Sequence, residues 1–153
     1  MLMKHVRVAA IIIHQNKLLL HTSHNENYWT LPGGGVENEL TKDGLKREMK
    51  EELGEEVIID ELKIIAENRF VHNGKEIDSI EFYYKANLLP DSALVELKSF
   101  KKTEAFGQYG EEPYELLFKW FDVSELKEIS ILPAFLEAEL TQLSSSKIKH
   151  IHQ

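Results

Sequence analysis

The chain has 153 residues, no cysteine and a formal net charge of −8, a length that suggests one domain. The missing cysteines exclude disulfides and thiolate zinc sites and are compatible with a reducing cytoplasm. The acidic balance offers no broad field for long nucleic acid, so a small phosphate ester bridged by cations is the anionic partner left open.

Residues 6–13 form a β-branched, nearly continuous apolar run, as in a strand covered on both faces. The run is far below the ~18–20 apolar residues that cross a membrane. Polar residues 14–17 interrupt it, so it reads as a first strand and not as the core of a signal peptide. Residues 18–21 return as a second strand, and Asn25, Glu26 and Asn27 mark a polar loop. Trp29 reads as a core aromatic.

The stretch 31–54, LPGGGVENELTKDGLKREMKEELG, dominates the chain. Gly33, Gly34 and Gly35 let backbone come close to a ligand or another chain segment. Thr41 offers an oxygen to an early helical N–H, and Asp43 suits the positive end of a helix dipole. Leu45, Met49 and Leu53 recur at i, i+4 and i+8 as one apolar stripe, and Gly54 is a natural stop. Gly44 sits inside this helix, where it costs about 1 kcal/mol against Ala. Glu48, Glu51 and Glu52 share one helical face, with Arg47 four residues before Glu51. Like charges on one face repel unless a cation joins them, and Mg²⁺ takes a few carboxylates together with substrate phosphates. A solvated, charge-laced surface helix is the plainer reading of the same residues.

Beyond the helix, residues 57–59 are apolar, and residues 62–72 and 75–88 are strand-like. They are joined by Asn73-Gly74, a strong hairpin signal. Phe70, Phe82 and Tyr84 have the parity of strand faces and read as core, with a base-binding pocket as the other role. Arg69 can meet a phosphate bidentately or stay on the surface. Residues 89–92 read as a turn, 93–105 as irregular, 106–113 as a glycine-punctuated loop and 114–121 as a strand. Asp122 and Ser124 can open a short helical turn through Leu126. Pro133 fits the first turn of a last helix, 133–143, with Phe135, Leu136 and Leu140 as its contacts. Residues 147–153 read as a tail after a single domain over 1–146. His150 and His152 would face one metal only if the tail were a strand.

Gly33, Glu39, Arg47, Glu48, Met49, Glu51, Glu52 and Gly54 resemble the signature of the Nudix hydrolases. Glu55 stands where that pattern has an apolar residue. The resemblance implies an α/β fold, an α/β/α sandwich with a mixed sheet between helices. It implies a metal-dependent pyrophosphohydrolase cleaving the diphosphate linkage of a nucleoside diphosphate joined to another group. By that resemblance Glu48 and Glu52 are the principal ligands of Mg²⁺ (or Mn²⁺), with Glu51 sharing, and Gly33 or Gly34 offers a carbonyl. Arg47 orients the carboxylates, and Glu39 supports the box from the substrate side or through a water on the metal. Glu52 is the first choice as general base, with Glu111 and Glu112 as distant candidates, and Arg69 and Phe70 are the substrate-binding candidates. Residues 68–72 hold neither the proline nor the tyrosine that marks particular Nudix groups, which leaves a nucleoside triphosphate or related nucleotide as the default substrate. A catalytically silent nucleotide-binding or regulatory module is the alternative. A cytoplasmic protein without a membrane anchor, and compatible with a homodimer, completes the expectation.

Overall fold

The computed structural model describes residues 3–24, 26–104 and 114–153. β1 (Lys4–His14) turns through Gln15 and Asn16, both at positive φ, into β2 (Lys17–Ser23). β3 (Gly33–Gly35) leads to α1 (Thr41–Leu53). The long hairpin β4 (Val57–His72) and β5 (Lys75–Leu88) follows, turning at Asn73 (φ 50°) and Gly74 (φ 77°). A 3-10 turn at Ala93–Glu96 precedes β6 (Ser99–Glu104), then β7 (Tyr114–Asp122) and a second 3-10 turn at Val123–Glu128. α2 (Leu136–Glu139) and β8 (Lys149–His152) close the chain.

The strand order is β6-β7-β2-β1-β5-β4-β8, with β3 paired to β1 off this path. β1 runs parallel to β5 and antiparallel to β2 and β3. Its pairing with β2 is confined to Ile13 and His14. Further back along β1, β3 takes the same edge at Arg7, Val8 and Ala9, while β2 goes on to pair with β7 from Lys17 to Ser23. The β2–β7–β6 strands therefore splay away from the β1–β5–β4 strands.

Alternation along β1 serves two cores. Val8, Ala10 and Ile12 pack with Leu45, Met49 and Leu53, the apolar stripe of α1. Ile11 packs with Leu126, Leu136 and Leu140 on the other side. The mixed sheet is thus covered on both faces, as an α/β sandwich requires. Burying each of the three α1 side chains contributes about 1.5–3 kcal/mol. Among the described residues no helix is long and apolar enough to cross a membrane.

Several elements differ from the sequence expectations. The three glycines are a strand and not a loop. None has positive φ, and the reason for glycine is close approach, since a Cβ on Gly33 would stand 2.1 Å from the Val8 carbonyl oxygen. Thr41 is the first helical residue and not the cap, and its hydroxyl lies 2.7 Å from the Tyr84 hydroxyl. The last helix is one turn instead of residues 133–143. Thr141 and Gln142 bond to the carbonyls of Ala138 and Glu139, an i to i+3 pattern that tightens and ends it. Residues 149–152 of the expected tail form β8, parallel to Ile64–Glu67 of β4. Lys63, buried at the second irregularity of β4, donates to the Ser145 carbonyl at 3.0 Å and holds the chain before that strand. The turn at Ser92, the Asp122 cap and the Asn73-Gly74 hairpin fall where the sequence placed them. Trp29 packs edge-on against Phe121. Residues 105–113, and with them most of the glycine-punctuated segment, lie outside the described residues.

Two stability predictions follow from this packing. Gly33→Ala puts its methyl into the β1 backbone and should cost about 1–3 kcal/mol or more, read as a lower urea midpoint at unchanged slope. His21 is 5% exposed beside Phe118. Burial, helped by the charge of Arg7, pushes its imidazole down to about 4 from 6.5. It is neutral in both folded and unfolded chains above about pH 6.5. As pH falls from there to about 4 only the unfolded chain gains the proton, so stability is lost, by about 3 kcal/mol at the lower end. Urea titrations of wild type and His21→Phe across that window should diverge by this amount, and parallel pH curves would refute it.

Candidate active site

α1 carries its carboxylates where the β1–β3 pairing can meet them. Arg47 reaches across this junction. Its Nε and Nη2 donate to Glu39 at 3.0 and 2.6 Å, Nη1 to Glu48 at 3.0 Å and Glu51 at 3.4 Å, and Nη2 also to the Gly35 carbonyl at 3.0 Å. The guanidinium thus ties together the connection before the helix, the helix and the glycine strand. These charge-assisted bonds hold the Glu39 carboxyl below the usual carboxylate range, Arg47 being the main cause. They also raise the affinity of Arg47 for its own proton, Glu39 first and Glu48 next, against the opposing effect of burial.

Glu48 and Glu52, one turn apart, are both buried, Glu52 at 3% exposure, whereas the Glu51 side chain is exposed. The Glu48 carboxylate lies over Gly34, where any Cβ would meet it at 2.4–2.6 Å. Gly34 is therefore the cradle of that carboxylate, and Gly33, one residue away, packs its Cα against β1. Gly44 has a related task, because a methyl there would stand 3.1 Å from Glu39 Oε1. Its cost to the helix gives Glu39 room to reach Arg47. Glu55, the departure from the signature, accepts a hydrogen bond from Ser92 at 2.9 Å and ties the end of α1 to the turn after β5.

Among the described residues no three acidic or histidine side chains are gathered as a ready metal cage. Glu48, Glu51 and Glu52 nonetheless supply hard oxygen donors, and the clearance over Gly34 leaves a buried carboxylate beside backbone. That donor set fits a Mg²⁺-like cation, which usually takes only one or two carboxylates and fills its shell with water and substrate phosphates.

Where the two groups of strands splay, a pocket of about 640 Å³ opens. Its walls include Arg7, His21, Asn68, Phe70 and Glu81, with Arg69 also on the lining. Arg7 stands opposite Gly35 on one side of β1 and opposite Glu81 on the other, so one strand joins the pocket to the glycine strand under the carboxylates. Glu81 is held by hydrogen bonds from Ser79 and Tyr83, both 2.7 Å.

The structure therefore brings Arg47, Glu39, Glu48, Glu51 and Gly34 together, with Glu52 one turn along the same helix. It puts Arg69 and Phe70 at the pocket, Arg69 being largely exposed and 3.5 Å from Asp78. Glu39 is engaged by Arg47. Phe82 and Tyr84 pack into the α1 core. Glu111 and Glu112 lie outside the described residues. His150 and His152 are on a strand after all, their rings 5.3 Å apart, with His150 3.0 Å from Glu67. The sequence reading missed His21, Asn68 and Glu81 and gave Arg7 no site role. The available signal was a polar residue in an apolar run for His21, and Ser79, Glu81 and Tyr83 alternating on one strand face.

The sequence matches the NUDIX domain over residues 3–140. No curated protein matches it in sequence. In fold it is similar to an ADP-ribose pyrophosphatase from Streptococcus suis, with TM-score 0.62 and 18% identity over 99% of this chain and 100% of that one. It is also similar to a mutator MutT protein from Bacillus halodurans, with TM-score 0.65 and 21% identity over 97% and 89%. A UDP-X diphosphatase gives TM-score 0.64 and 19% identity over 99% and 68%. At these identities the solved structures speak to the fold, and the domain match, spanning nearly the whole chain, speaks to the family. With its box of Arg47, Glu48, Glu51 and Glu52 intact, the chain belongs to the Nudix family and is a hydrolase of its pyrophosphohydrolase type.

Proposed function

We propose that the protein hydrolyses the diphosphate linkage of a nucleoside diphosphate joined to another group, a nucleoside triphosphate or related nucleotide by default, using a divalent cation in the cytoplasm. One observation carries the reading: Arg47 spends its guanidinium on Glu39, Glu48, Glu51 and the Gly35 carbonyl, so that acidic side chains gather beside a glycine strand instead of spreading into solvent. The similar folds named ADP-ribose pyrophosphatase and UDP-X diphosphatase support the reaction class and leave the substrate open.

A bound Mg²⁺ or Mn²⁺ would neutralise phosphate oxygens and lower the pKa of a water molecule. Glu48 and Glu52 would hold it, with Glu51 sharing from the rim and Gly33 or Gly34 adding a carbonyl. Arg47 fixes the Glu48 rotamer by donating to one of its oxygens. Glu52, buried on the same face, is our candidate to accept the proton of the attacking water. Arg7, beside Gly35 and on the pocket wall, is placed to meet a phosphate leaving the pocket toward the box. Arg69 and Phe70 would contact substrate at the pocket, while Glu39 acts through Arg47. A silent binding module would be expected to have lost Arg47 or a carboxylate, and all are present.

Glu52→Gln keeps the shape and removes the charge. It should lower turnover on a nucleotide panel with Mg²⁺ by about 10²–10⁴-fold, the range for a positioned acid or base, with an unchanged or raised melting temperature. Turnover near wild type would remove Glu52 from the mechanism, and wild-type turnover unaffected by a chelator would remove the metal.

A further inference from the structure

His150 and His152 take no part in the box or the pocket. They stand on β8, the strand at the edge of the sheet. Alternation along that strand packs Ile151 against the core that holds Ile11 and turns both imidazoles to the opposite face, where they are exposed. The backbone that carries them is fixed. His150 and His152 pair with Ile65 and Glu67 of β4, and the Gln153 N–H donates to the Glu67 carbonyl at 3.0 Å. The two rings are therefore held side by side, with 5.3 Å between centroids and 60° between planes. Two imidazoles bound to one ion through nitrogens about 2.0–2.1 Å from it, at a tetrahedral angle, have centroids roughly 5 Å apart.

Glu67 decides which nitrogen of His150 is available. Its Oε2 lies 3.0 Å from His150 Nε2, and Lys4 Nζ donates to its Oε1 at 3.4 Å. These two bonds, the one to His150 first, hold the Glu67 carboxyl below the usual carboxylate range. An ionised carboxylate only accepts, so a neutral His150 carries its proton on Nε2 and its lone pair on Nδ1. A carboxylate behind an imidazole in this way is the usual orienting partner of a metal-bound histidine.

We propose that His150 and His152 chelate one transition-metal ion of the Zn²⁺, Ni²⁺ and Cu²⁺ class, with Glu67 orienting His150 and water filling the remaining positions. Among the described residues no third ligand closes the site, so it is a two-imidazole chelate and not a cage. Imidazole nitrogens suit these ions, whereas Mg²⁺ takes oxygen donors. The site is thus chemically separate from the carboxylates of α1, and the inference stands apart from the hydrolase reading. Its consequence is mechanical. β8 is four residues long and pairs on one side only. Only the extended strand sets residues 150 and 152 on one face, so an ion bound by both favours the docked strand over a loose tail by mass action.

The test is calorimetric titration of the whole protein with Zn²⁺ in excess Mg²⁺, which competes for the oxygen donors of α1. One Zn²⁺ should bind per chain through the two histidines. His150→Gln and His152→Gln should each weaken that binding about tenfold or more, and Glu67→Ala by about tenfold, the lower end of the range for a partner behind a ligand. Cu²⁺ should bind more tightly than Zn²⁺, and Mg²⁺ alone should leave the ring proton resonances of both histidines unmoved. Amide exchange over residues 150–153 should slow with Zn²⁺ in wild type and not in His150→Gln. The three side chains are exposed, so each variant should melt close to wild type without metal. Zn²⁺ binding indifferent to both histidine substitutions would put the ion elsewhere and overturn the proposal, as would no binding at millimolar Zn²⁺. Full affinity in Glu67→Ala, with both histidine variants defective, would keep the chelate and strike Glu67 from it.

Discussion

The guanidinium of Arg47 is the constraint on which the site depends. Three glutamates on one helical face are unfavourable by themselves, and an isolated surface ion pair contributes too little to gather them. Arg47 changes the balance by bonding at once to Glu39, Glu48, Glu51 and the Gly35 carbonyl. Each bond restricts the guanidinium further, so the next is formed at lower entropic cost. A lysine has no planar fork to do this. The glycines follow from the same contact. Drawing β3 against α1 leaves no space for a Cβ at Gly34, where the Glu48 carboxylate lies, and little at Gly44, where Glu39 lies. Arg47, the close-packed Gly34 and Gly44, and Glu39, Glu48 and Glu51 are thus one mechanical unit.

β1 supplies the second constraint. A strand that pairs with β2 at one end and β3 at the other must let β2 swing away, and the splay opens the pocket. The swing also sets where the buried His21 lies, just after the apolar run 18–20. Leu18, Leu19 and Leu20 enter the cores, while His21 and Ser23 reach the edge of the opening.

The sequence was legible where a local rule determined the outcome. The α1 stripe, its stop at Gly54 and the Asn73-Gly74 turn depend on residues close in sequence, and each lies where expected. The box was legible for the same reason, since its spacing is helical. β3 was not, because glycine disfavours strands and only the approach of β1 makes Gly33–Gly35 one. β8 was not, because a four-residue edge strand is specified by the edge of β4 and by Lys63 reaching Ser145. The last helix was overread, since apolar spacing at Phe135, Leu136 and Leu140 satisfies one tightened turn as well as three relaxed ones. The role of Glu55 depended on Ser92, which lies beyond the whole hairpin. The pocket was the least legible part. Arg7, His21, Asn68 and Glu81 come from four strands, and no spacing rule connects them.

The distance between the α1 carboxylates and the pocket is finally a matter of register. Along β1, Val8 stands opposite Gly34 and Arg7 opposite Gly35 on one edge, and Arg7 stands opposite Glu81 on the other. Val8 points into the α1 core, so its neighbour Arg7 must turn the other way. A slip of one residue would bury Arg7 against α1, remove the apolar support of Met49 and draw Glu81 out of line with Gly35. The apolar stripe of α1 that holds Val8, Ala10 and Ile12 therefore does more than stabilise the fold. By forbidding that slip, it fixes how far Glu81 lies from the Glu48 carboxylate over Gly34.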